Sequence, residues 1–362
     1  MNRQFKIAGL VILLIFGSAL LLTAAGPIPT ETNLEKLGMH LYKDKNLSFY
    51  QNQSCQTCHD PKAGFADPEN LLDPEVNVVS VGSDGVSVGG RNAPTSAYAG
   101  FSPVRYSVVV DGKPTEWFGG MFWDGRKDGS VLGDPLAEQA QGPPLNPVEM
   151  ALKDEQAVLD VIKASSYYDL WVTEFGEIDD NLDEDQISQA YANFGRAIAA
   201  YERSNKVTKF SSNFDRRSYV LTESELNGFK LIKDKCSACH ATEADYGAPK
   251  PLFTTYGYAN IGVPVNPLVP RDADMGLGGV VDDPDQDGKF KIPTLRNIAM
   301  TPPYSHNGSF ATLFEMISFI NDRGEVIPEV SENISPLVGN MELSDEQIDD
   351  LVDFLEALTD QY

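Results

Sequence analysis

Apolar residues recur at helical spacing in several stretches of the chain, and most of these stretches begin with a capping box. Thr32 with Glu35 and Thr222 with Glu225 have the Thr-x-x-Glu spacing that satisfies free backbone amides at the start of a helix. The apolar residues that follow the second box at three-residue steps are Leu226, Phe229 and Ile232. The pattern therefore predicts a helix with a buried face in each half of the chain.

Two further amphipathic helices are predicted, one in the middle of the chain and one at its end. Asp183 with Gln186 caps the middle helix, and Ser344 with Gln347 caps the last one. The apolar positions of the middle helix are Ile187, Tyr191, Phe194, Ile198 and Tyr201. Those of the last helix are Ile348, Leu351, Val352, Leu355 and Leu358. Both series keep the three- and four-residue steps of a helix that buries one face.

Little of the chain has the alternation of a β-strand, apart from a short ribbon predicted around Tyr106–Val110. The stretches 81–90 and 246–279 are rich in glycine and proline and too long for simple connections. We expect them to wrap a cofactor or a site. The predicted fold is mostly α, with long irregular loops.

The first residues predict export. Arg3 and Lys6 precede an apolar run over 7–22, and small residues follow it before Gly26. This is the pattern of a secretory signal peptide over 1–25, which places the protein in the periplasm. A membrane anchor is the alternative, although the run is slightly shorter than the roughly 20 residues that span a bilayer.

Charge and length narrow the classes of protein that fit. The formal net charge of −25 excludes nucleic-acid binding, which needs clustered lysine and arginine. The chain after residue 25 is longer than one core usually holds, so two domains are expected.

All four cysteines fall in two copies of one pattern. The copies are Cys55-Gln-Thr-Cys58-His59 and Cys236-Ser-Ala-Cys239-His240. Two thiols one helical turn apart reach the two vinyl groups of a haem, and the adjacent imidazole binds its iron. A zinc half-site would leave each pair short of ligands, and a redox dithiol does not need the histidine twice. Two covalently bound haem c groups are therefore predicted, one in each half.

The chain has only two histidines outside the haem motifs, His40 and His306. Any further iron ligand that these two do not provide must be a methionine or a tyrosine. His40 lies off the apolar stripe of its predicted helix, which favours a surface position. His306 sits in a turn-rich stretch in which backbone groups can hold a polar ring.

Several motifs around the haem sites occur in one order along the chain. They are Arg91-Asn-Ala-Pro-Thr95, Phe122-Trp-Asp-Gly-Arg126, Glu138-Gln-Ala-Gln-Gly-Pro143, Asn146-Pro-Val-Glu-Met150, Lys291-Ile-Pro-Thr-Leu-Arg-Asn297 and Thr301-Pro-Pro-Tyr-Ser-His306-Asn-Gly308. Together with the haem motifs, they resemble the bacterial di-haem cytochrome c peroxidases and the related MauG-type enzymes over nearly the whole chain after the export signal. The resemblance implies two cytochrome c-like domains, 26–205 and 206–362, each around one haem.

The resemblance also implies roles for individual residues. His59 would lie below the iron of the peroxidatic haem, and Glu149 would be the acid–base carboxylate above it. Gln139 and Pro143 would shape that pocket, and Trp123 would relay electrons between the haems. From the residues alone, Glu149 would be a helix-start residue and Trp123 a core tryptophan.

A calcium ion between the domains is a further implication of the resemblance. The matching positions are Asn92, Thr301 and Pro303, whose oxygen donors suit a hard cation.

The chain departs from the peroxidase pattern at the first haem. Classical members carry a distal histidine in the loop after the first motif, but no histidine lies between His59 and Trp123. The first haem is therefore predicted to be open from the start, as in MauG-type enzymes.

The second haem shows another departure. Its lower ligand would be His240, but the position of the upper ligand, fourteen residues after His306, holds Ile320, which cannot bind iron. Met316 lies one helical turn earlier and is the leading substitute, although packing would equally explain it. Less supported options are Met341, Met300, Met275 and a five-coordinate iron.

The leading functional hypothesis is a peroxidase that reduces hydrogen peroxide to water with electrons from a small redox protein, either a cytochrome c or a cupredoxin. One alternative is a MauG-like oxidase that modifies a tyrosine or tryptophan of a partner protein. The other is an electron carrier without catalysis.

Overall fold

The computed structural model describes residues 31–362, so the predicted signal segment 1–25 lies outside the described residues. The described part is mostly helical. Its α-helices are α1 Asn33–Lys43, α2 Cys55–Cys58, α3 Pro68–Leu72, α4 Pro135–Ala140, α5 Glu155–Ala164, α6 Tyr168–Phe175, α7 Glu184–Arg203, α8 Glu223–Leu231, α9 Leu277–Val281, α10 Leu313–Asn321 and α11 Asp345–Glu356. α8 continues as a π-helix over Ile232–Cys236, so the helical chain runs into the second haem motif, as predicted.

The predicted capping boxes are confirmed at all four helix starts. The side chains of Thr32, Asp183, Thr222 and Ser344 each accept a hydrogen bond from the backbone amide of the third helical residue. The side-chain oxygen of that residue in turn accepts one from the backbone amide of the capping residue. A fifth box, formed by Thr312 with Glu315 at the start of α10, was not predicted. It has the same spacing as the other four, so the sequence could have predicted it.

The two largest hydrophobic clusters of the described residues lie one beside each haem motif. In the first, α1 packs on α7 at Gly38, where an added Cβ would lie 1.9 Å from the carbonyl oxygen of Ala197. In the second, α8 packs on α11 at Gly228, where an added Cβ would lie 2.0 Å from the carbonyl oxygen of Asp350. In both halves, the helix before the haem motif thus approaches a long helix through a glycine.

The apolar stripes that predicted these helices are buried or half-buried, except at Leu226. The middle helix buries Tyr191, Phe194 and Ile198, whereas Leu226 at the start of α8 is 44% exposed. Leu358 is fully buried although α11 ends two residues before it, because the chain continues along the core beyond the helix. The domain boundary at 205/206 stays a prediction.

Regular sheet is confined to two small antiparallel pairs within the described residues. The strands are β1 Tyr106–Val110, β2 Lys113–Phe118, β3 Tyr258–Ala259 and β4 Phe290–Lys291, paired β1 with β2 and β3 with β4. The predicted ribbon at Tyr106–Val110 is confirmed. Across residues 31–362, the helices are too short or too polar to cross a membrane.

Candidate active site

Each haem motif opens onto its own cavity. The first, of about 530 Å³, is lined by Cys55, Cys58 and His59. The second, of about 310 Å³, is lined by Cys236, Cys239 and His240. Parts of the loops 81–90 and 246–279 line these cavities, as expected for segments that wrap a site.

The two motif histidines are held in the same way. The Nδ1 atom of His59 lies 3.1 Å from the carbonyl oxygen of Phe65, and that of His240 lies 2.8 Å from the carbonyl oxygen of Phe253. A backbone acceptor fixes the proton on Nδ1 and leaves Nε2 free as a ligand. Burial lowers the pKa of both imidazoles, which favours the neutral form that binds iron.

The cysteines favour haem attachment over the alternatives. All four are unpaired, and Cys55 and Cys58 stand at the two ends of the single turn α2. Burial raises the pKa of the Cys58 thiol to about 12 and that of the Cys236 thiol to about 11. A redox dithiol or a zinc site needs thiolates, whereas thioether formation consumes the thiols. The residues present thus fit one covalent haem in each cavity.

Glu149 lines the first cavity and is positioned by its neighbours. The side-chain amide of Asn146 donates a hydrogen bond of 2.6 Å to Glu149 Oε1, and the backbone amide of Ser83 donates to the Glu149 carbonyl. Burial raises the pKa of the Glu149 carboxyl, while Asn146 and the charge of Arg126 oppose this rise. The site thus presents a carboxyl group whose pKa lies above its usual value, which suits it to accept a proton and return it.

The other residues predicted for this pocket also line it. Gln139 comes from α4, and Pro143 begins the turn that leads to Asn146. Arg126, at the end of the motif Phe122-Trp-Asp-Gly-Arg126, also lines this cavity, which the sequence did not predict. Its guanidinium lies 3.6 Å from the centre of the Phe122 ring and contributes the positive charge near Glu149.

Gln53 was missed by sequence reasoning. Its side chain is buried on the first cavity, where Nε2 donates to the Val81 carbonyl across 2.8 Å. Its Oε1 has no hydrogen-bond partner within residues 31–362. Gln53 lies two residues before the haem motif but belongs to no pattern that would have marked it.

Trp123 lines both cavities. Its indole N–H donates a hydrogen bond of 2.9 Å to the Asn92 carbonyl, and its own carbonyl accepts one from the backbone amide of Lys291. An aromatic ring fixed on the wall of both cavities suits electron relay between them.

Known proteins are similar to this chain over most of its length. A family model described as di-haem cytochrome c peroxidase matches residues 32–223, and a cytochrome c model matches residues 226–359. The methylamine utilization protein MauG of Paracoccus denitrificans is 36% identical over 95% of this chain and 94% of its own length. The cytochrome c551 peroxidase of Nitrosomonas europaea is 28% identical over 95% of this chain and 87% of its own.

The crystal structure of the diheme peroxidase BthA from Burkholderia thailandensis has a TM-score of 0.76 and 28% identity, with 91% of this chain and 86% of that chain covered. The chain belongs to the di-haem cytochrome c peroxidase family. It is therefore a haem oxidoreductase with two cytochrome c-like domains and two haem c groups, as predicted.

The second cavity of this di-haem protein contains two methionines. Met316 of α10 and the buried Met341 both line it, together with Ile320. The backbone amide of Met341 donates to the Asn321 carbonyl, which ties the segment after α10 to the end of that helix. Met275 lines the first cavity instead, and Met300 lines neither.

The remaining histidines take no place on the first cavity. His40 is exposed, as predicted, and stacks on Tyr167. We predicted that backbone groups hold the ring of His306, and this was wrong. Its Nε2 atom lies 2.9 Å from a carboxylate oxygen of Glu329. The ring also stacks on Phe290 with centroids 3.6 Å apart. Glu329 is distant in sequence, so no local pattern could reveal it.

A chain of partly buried ion pairs runs beside both cavities of this di-haem protein, and sequence reasoning did not find it. Arg91 binds both Asp124 and Asp274, with its guanidinium nitrogens 2.6 and 2.7 Å from their carboxylate oxygens. Arg271 pairs with Asp274 and Glu329. Arg91 holds the pKa of the Asp274 carboxyl down at about 2 against the opposing effect of burial. The partners are far apart in sequence, so the fold alone brings them together.

The three residues matched to calcium ligands all line the second cavity. The Asn92 amide donates to the Val78 carbonyl, and the Thr301 hydroxyl donates to the Ile298 carbonyl. Within residues 31–362, no group of three or more histidine, cysteine, aspartate or glutamate side chains could hold a metal ion. Calcium binding by Asn92, Thr301 and Pro303 stays a prediction.

Proposed function

We propose that this protein reduces hydrogen peroxide to water at the cavity of His59, with electrons that a small redox protein delivers through the cavity of His240. The observation that carries the proposal is the partly buried carboxyl of Glu149 on a cavity whose wall holds no histidine other than His59. Such a cavity leaves the distal side free for peroxide.

The protein side chains supply proton transfer in this scheme. When bound, the haems supply redox-active iron on which electrons are stored and exchanged. Glu149 takes the proton from one peroxide oxygen and returns it to the other, so that water can leave. Asn146 holds the carboxylate through its hydrogen bond, and this bond and the charge of Arg126 oppose the rise of its pKa, which keeps it available as a base. Gln139 and Pro143 limit the space around it.

Electron delivery uses the second half of the protein. Trp123 supports a relay because it lines both cavities. His240 and Met316 would hold the iron of the second haem, with Met341 as the competing side chain on the same cavity wall. A thioether ligand would raise the reduction potential of this haem and favour electron uptake from a cytochrome c or a cupredoxin.

Cellular location and calcium complete the proposal. The charged and apolar pattern of residues 1–25 supports export to the periplasm, with membrane anchoring as the alternative for the same segment. Calcium is assigned to Asn92, Thr301 and Pro303. All three line the second cavity, and Asn92 also lines the first, so the site would lie between the two haem cavities.

One observation favours a second candidate function, oxidation of a tyrosine or tryptophan on a partner protein. The stretch between His59 and Trp123 lacks the histidine that classical peroxidases carry, and MauG of Paracoccus denitrificans is more similar in sequence than the peroxidase of Nitrosomonas europaea.

The stoichiometry of donor oxidation tests the proposal and separates the two candidates. Protein carrying both haems is mixed with limiting hydrogen peroxide and an excess of reduced small cytochrome c. We expect two donor molecules to be oxidised for each peroxide, with the donor mass unchanged. Absence of donor oxidation in fully haem-loaded protein would refute the peroxidase assignment, and a new covalent modification on a co-expressed partner would favour the second candidate.

A further inference from the structure

The hydroxyl groups of two tyrosines, one from the first half of the chain and one at its end, lie beside the carboxylate of Asp360. The hydroxyl of Tyr98 donates a hydrogen bond to Asp360 Oδ2. The hydroxyl of Tyr362 lies 3.3 Å from the same oxygen and 2.8 Å from the Val207 carbonyl oxygen, so its one proton can be donated to either. Tyr98 is fully buried, whereas Tyr362 is 40% exposed. The three residues, which we call the tyrosine cluster, therefore connect the interior to the surface.

The tyrosine cluster lies beside both haem sites. Tyr98 lines the second cavity. The Tyr362 ring meets the Phe65 ring edge to face with centroids 5.0 Å apart, and Phe65 provides the carbonyl that holds His59. Trp123 is not part of the tyrosine cluster; it lies on the wall that the two cavities share.

The carboxylate is firmly placed. Asp360 Oδ1 accepts hydrogen bonds from the backbone amide and the hydroxyl of Ser211, at 2.6 and 3.1 Å. The backbone amide of Asp360 donates to Asn297 Oδ1 across 2.8 Å. This framework leaves Oδ2 facing the two phenols.

The surroundings of Tyr98 suit proton-coupled oxidation. Burial, followed by the nearby Asp360 charge, raises the pKa of the Tyr98 phenol, so the phenol is protonated in the folded protein. A buried phenol that loses an electron without losing its proton would leave a costly unpaired cation. The hydrogen bond to Asp360 gives that proton a place to go.

We propose that Tyr98 and Asp360 form a redox-active site that yields an electron when peroxide has oxidised the protein and no donor is present. This inference rests on the proposed function, which supplies the oxidant. In the step, the oxidised haem pair gains one electron from Tyr98, the Tyr98 O–H bond breaks, and its proton moves to Asp360 Oδ2. The product is a neutral phenoxyl radical beside a protonated carboxyl.

Tyr362 carries the oxidation to the surface. It gives one electron to the Tyr98 radical, and the proton on Asp360 Oδ2 returns to Tyr98. The Tyr362 hydroxyl turns from the Val207 carbonyl to Asp360 Oδ2 and passes its proton there. The net change is a radical on Tyr362 and a restored Tyr98. At the surface, a small one-electron reductant can reduce the Tyr362 radical back to tyrosine. This reduction would protect the haem sites from unused oxidising equivalents.

Two other tyrosine–carboxylate pairs provide matched controls. Tyr167 donates to Asp44 and Tyr219 donates to Glu225, at 2.6 and 2.9 Å, and neither pair lines either of the two haem-motif cavities. If any hydrogen-bonded tyrosine could be oxidised, these would respond as Tyr98 does.

The test is electron paramagnetic resonance of haem-loaded protein frozen after one equivalent of hydrogen peroxide without donor. We expect a tyrosine radical, identified by its change of shape when ring-deuterated tyrosine is incorporated. Tyr98→Phe and Asp360→Asn should each lose this signal, and Tyr219→Phe should keep it. Tyr362→Phe should keep a radical, now on Tyr98, which ascorbate removes more slowly than in the parent protein.

The visible spectrum recorded in the same samples separates the two levels of the claim. A protein whose haem spectrum responds to peroxide but whose tyrosine signal survives in both Tyr98→Phe and Asp360→Asn overturns the tyrosine cluster alone. A haem spectrum that does not respond to peroxide overturns the proposed function and this inference with it. If Tyr98→Phe does not fold, as judged by haem content, Asp360→Asn decides, because it retains both phenols.

Discussion

The side-chain amide of Asn146 donates a hydrogen bond of 2.6 Å to the carboxylate of Glu149 on the wall of the first cavity. The two residues are three positions apart and follow the short turn over Pro143–Leu145. The bond fixes the rotamer of Glu149 and stabilises its ionised form against the effect of burial. The geometry thus prepares a base where peroxide would bind.

Removal of this base should slow catalysis without loss of either haem. For Glu149→Gln, we expect peroxidase turnover to fall by roughly 10² or more, because an amide cannot accept the peroxide proton. The exposed Glu174 of α6 provides the control as Glu174→Gln, which should turn over like the parent protein. Comparison of turnover rates per haem tests this, and equal rates for both variants would remove Glu149 from the mechanism.

Asn146 should control the pH at which Glu149 works. In Asn146→Ala, the hydrogen bond that lowers the pKa of Glu149 is lost, so that pKa rises further above its usual value. The base must be ionised to act, so the loss of activity on the acid side should begin at a higher pH than in the parent protein. The dependence of kcat/KM on pH measures this shift. An acid limb that stays in place would contradict the assigned role of Asn146.

Trp123 should matter for electron delivery and not for the first reaction with peroxide. In Trp123→Phe, the indole and its hydrogen bond to Asn92 are lost, so turnover with a protein donor should fall. The initial spectral change with peroxide should be as fast as in the parent. Trp117→Phe, in the β1–β2 ribbon away from both cavities, is the matched control. A slower initial reaction in Trp123→Phe would place this residue at the peroxide site instead.

The axial position of the second haem can be assigned by paired substitutions. Met316→Ala should convert the low-spin signal of that haem to high spin, because its sixth ligand is removed. Met341→Ala should keep the low-spin signal. Electron paramagnetic resonance at low temperature distinguishes the two, and the reverse result would assign the ligand to Met341.

Glu202 should make stability depend on pH. It lines the first cavity, is 4% exposed, and its Oε2 has no hydrogen-bond partner within the described part of the chain. Burial raises the pKa of its carboxyl to about 8, from 4.5. The folded state keeps this proton up to about pH 8, whereas the unfolded chain releases it near pH 4.5, so stability present below pH 4.5 is lost as pH rises to 8.

The variant Glu202→Gln has no such proton to release. Its free energy of unfolding relative to the parent should therefore increase from pH 4.5 to 8, by up to about 1.4 kcal/mol for each pH unit. Denaturant unfolding of the haem-loaded proteins at several pH values gives the difference. A difference that is constant over this range would mean that Glu202 is ionised in the folded state.

Local signals predicted much of the fold. The capping boxes at Thr32, Asp183, Thr222 and Ser344 all lie within three residues of their partners, so the sequence alone specifies these helix starts. The haem motifs are equally local. Glu149 was different, since its role depended on resemblance to a family, and only the fold placed it on the cavity with His59.

Long-range contacts could not be predicted in this way. His306 pairs with Glu329, and Arg91 joins Asp124 to Asp274, although no spacing rule links these residues. The isolated carboxyl of Glu202 was hidden for the same reason, because its place in an amphipathic helix does not reveal that a cavity lies beside it.

The openness of the first haem is the central claim, and the reaction of fully oxidised protein with peroxide tests it most directly. Oxidised protein with both haems attached is mixed with one equivalent of hydrogen peroxide, and the haem absorption is followed by stopped flow. Because His59 is the one histidine on that cavity, we predict an immediate change without prior reduction. A change that occurs only after one haem has been reduced would contradict the account.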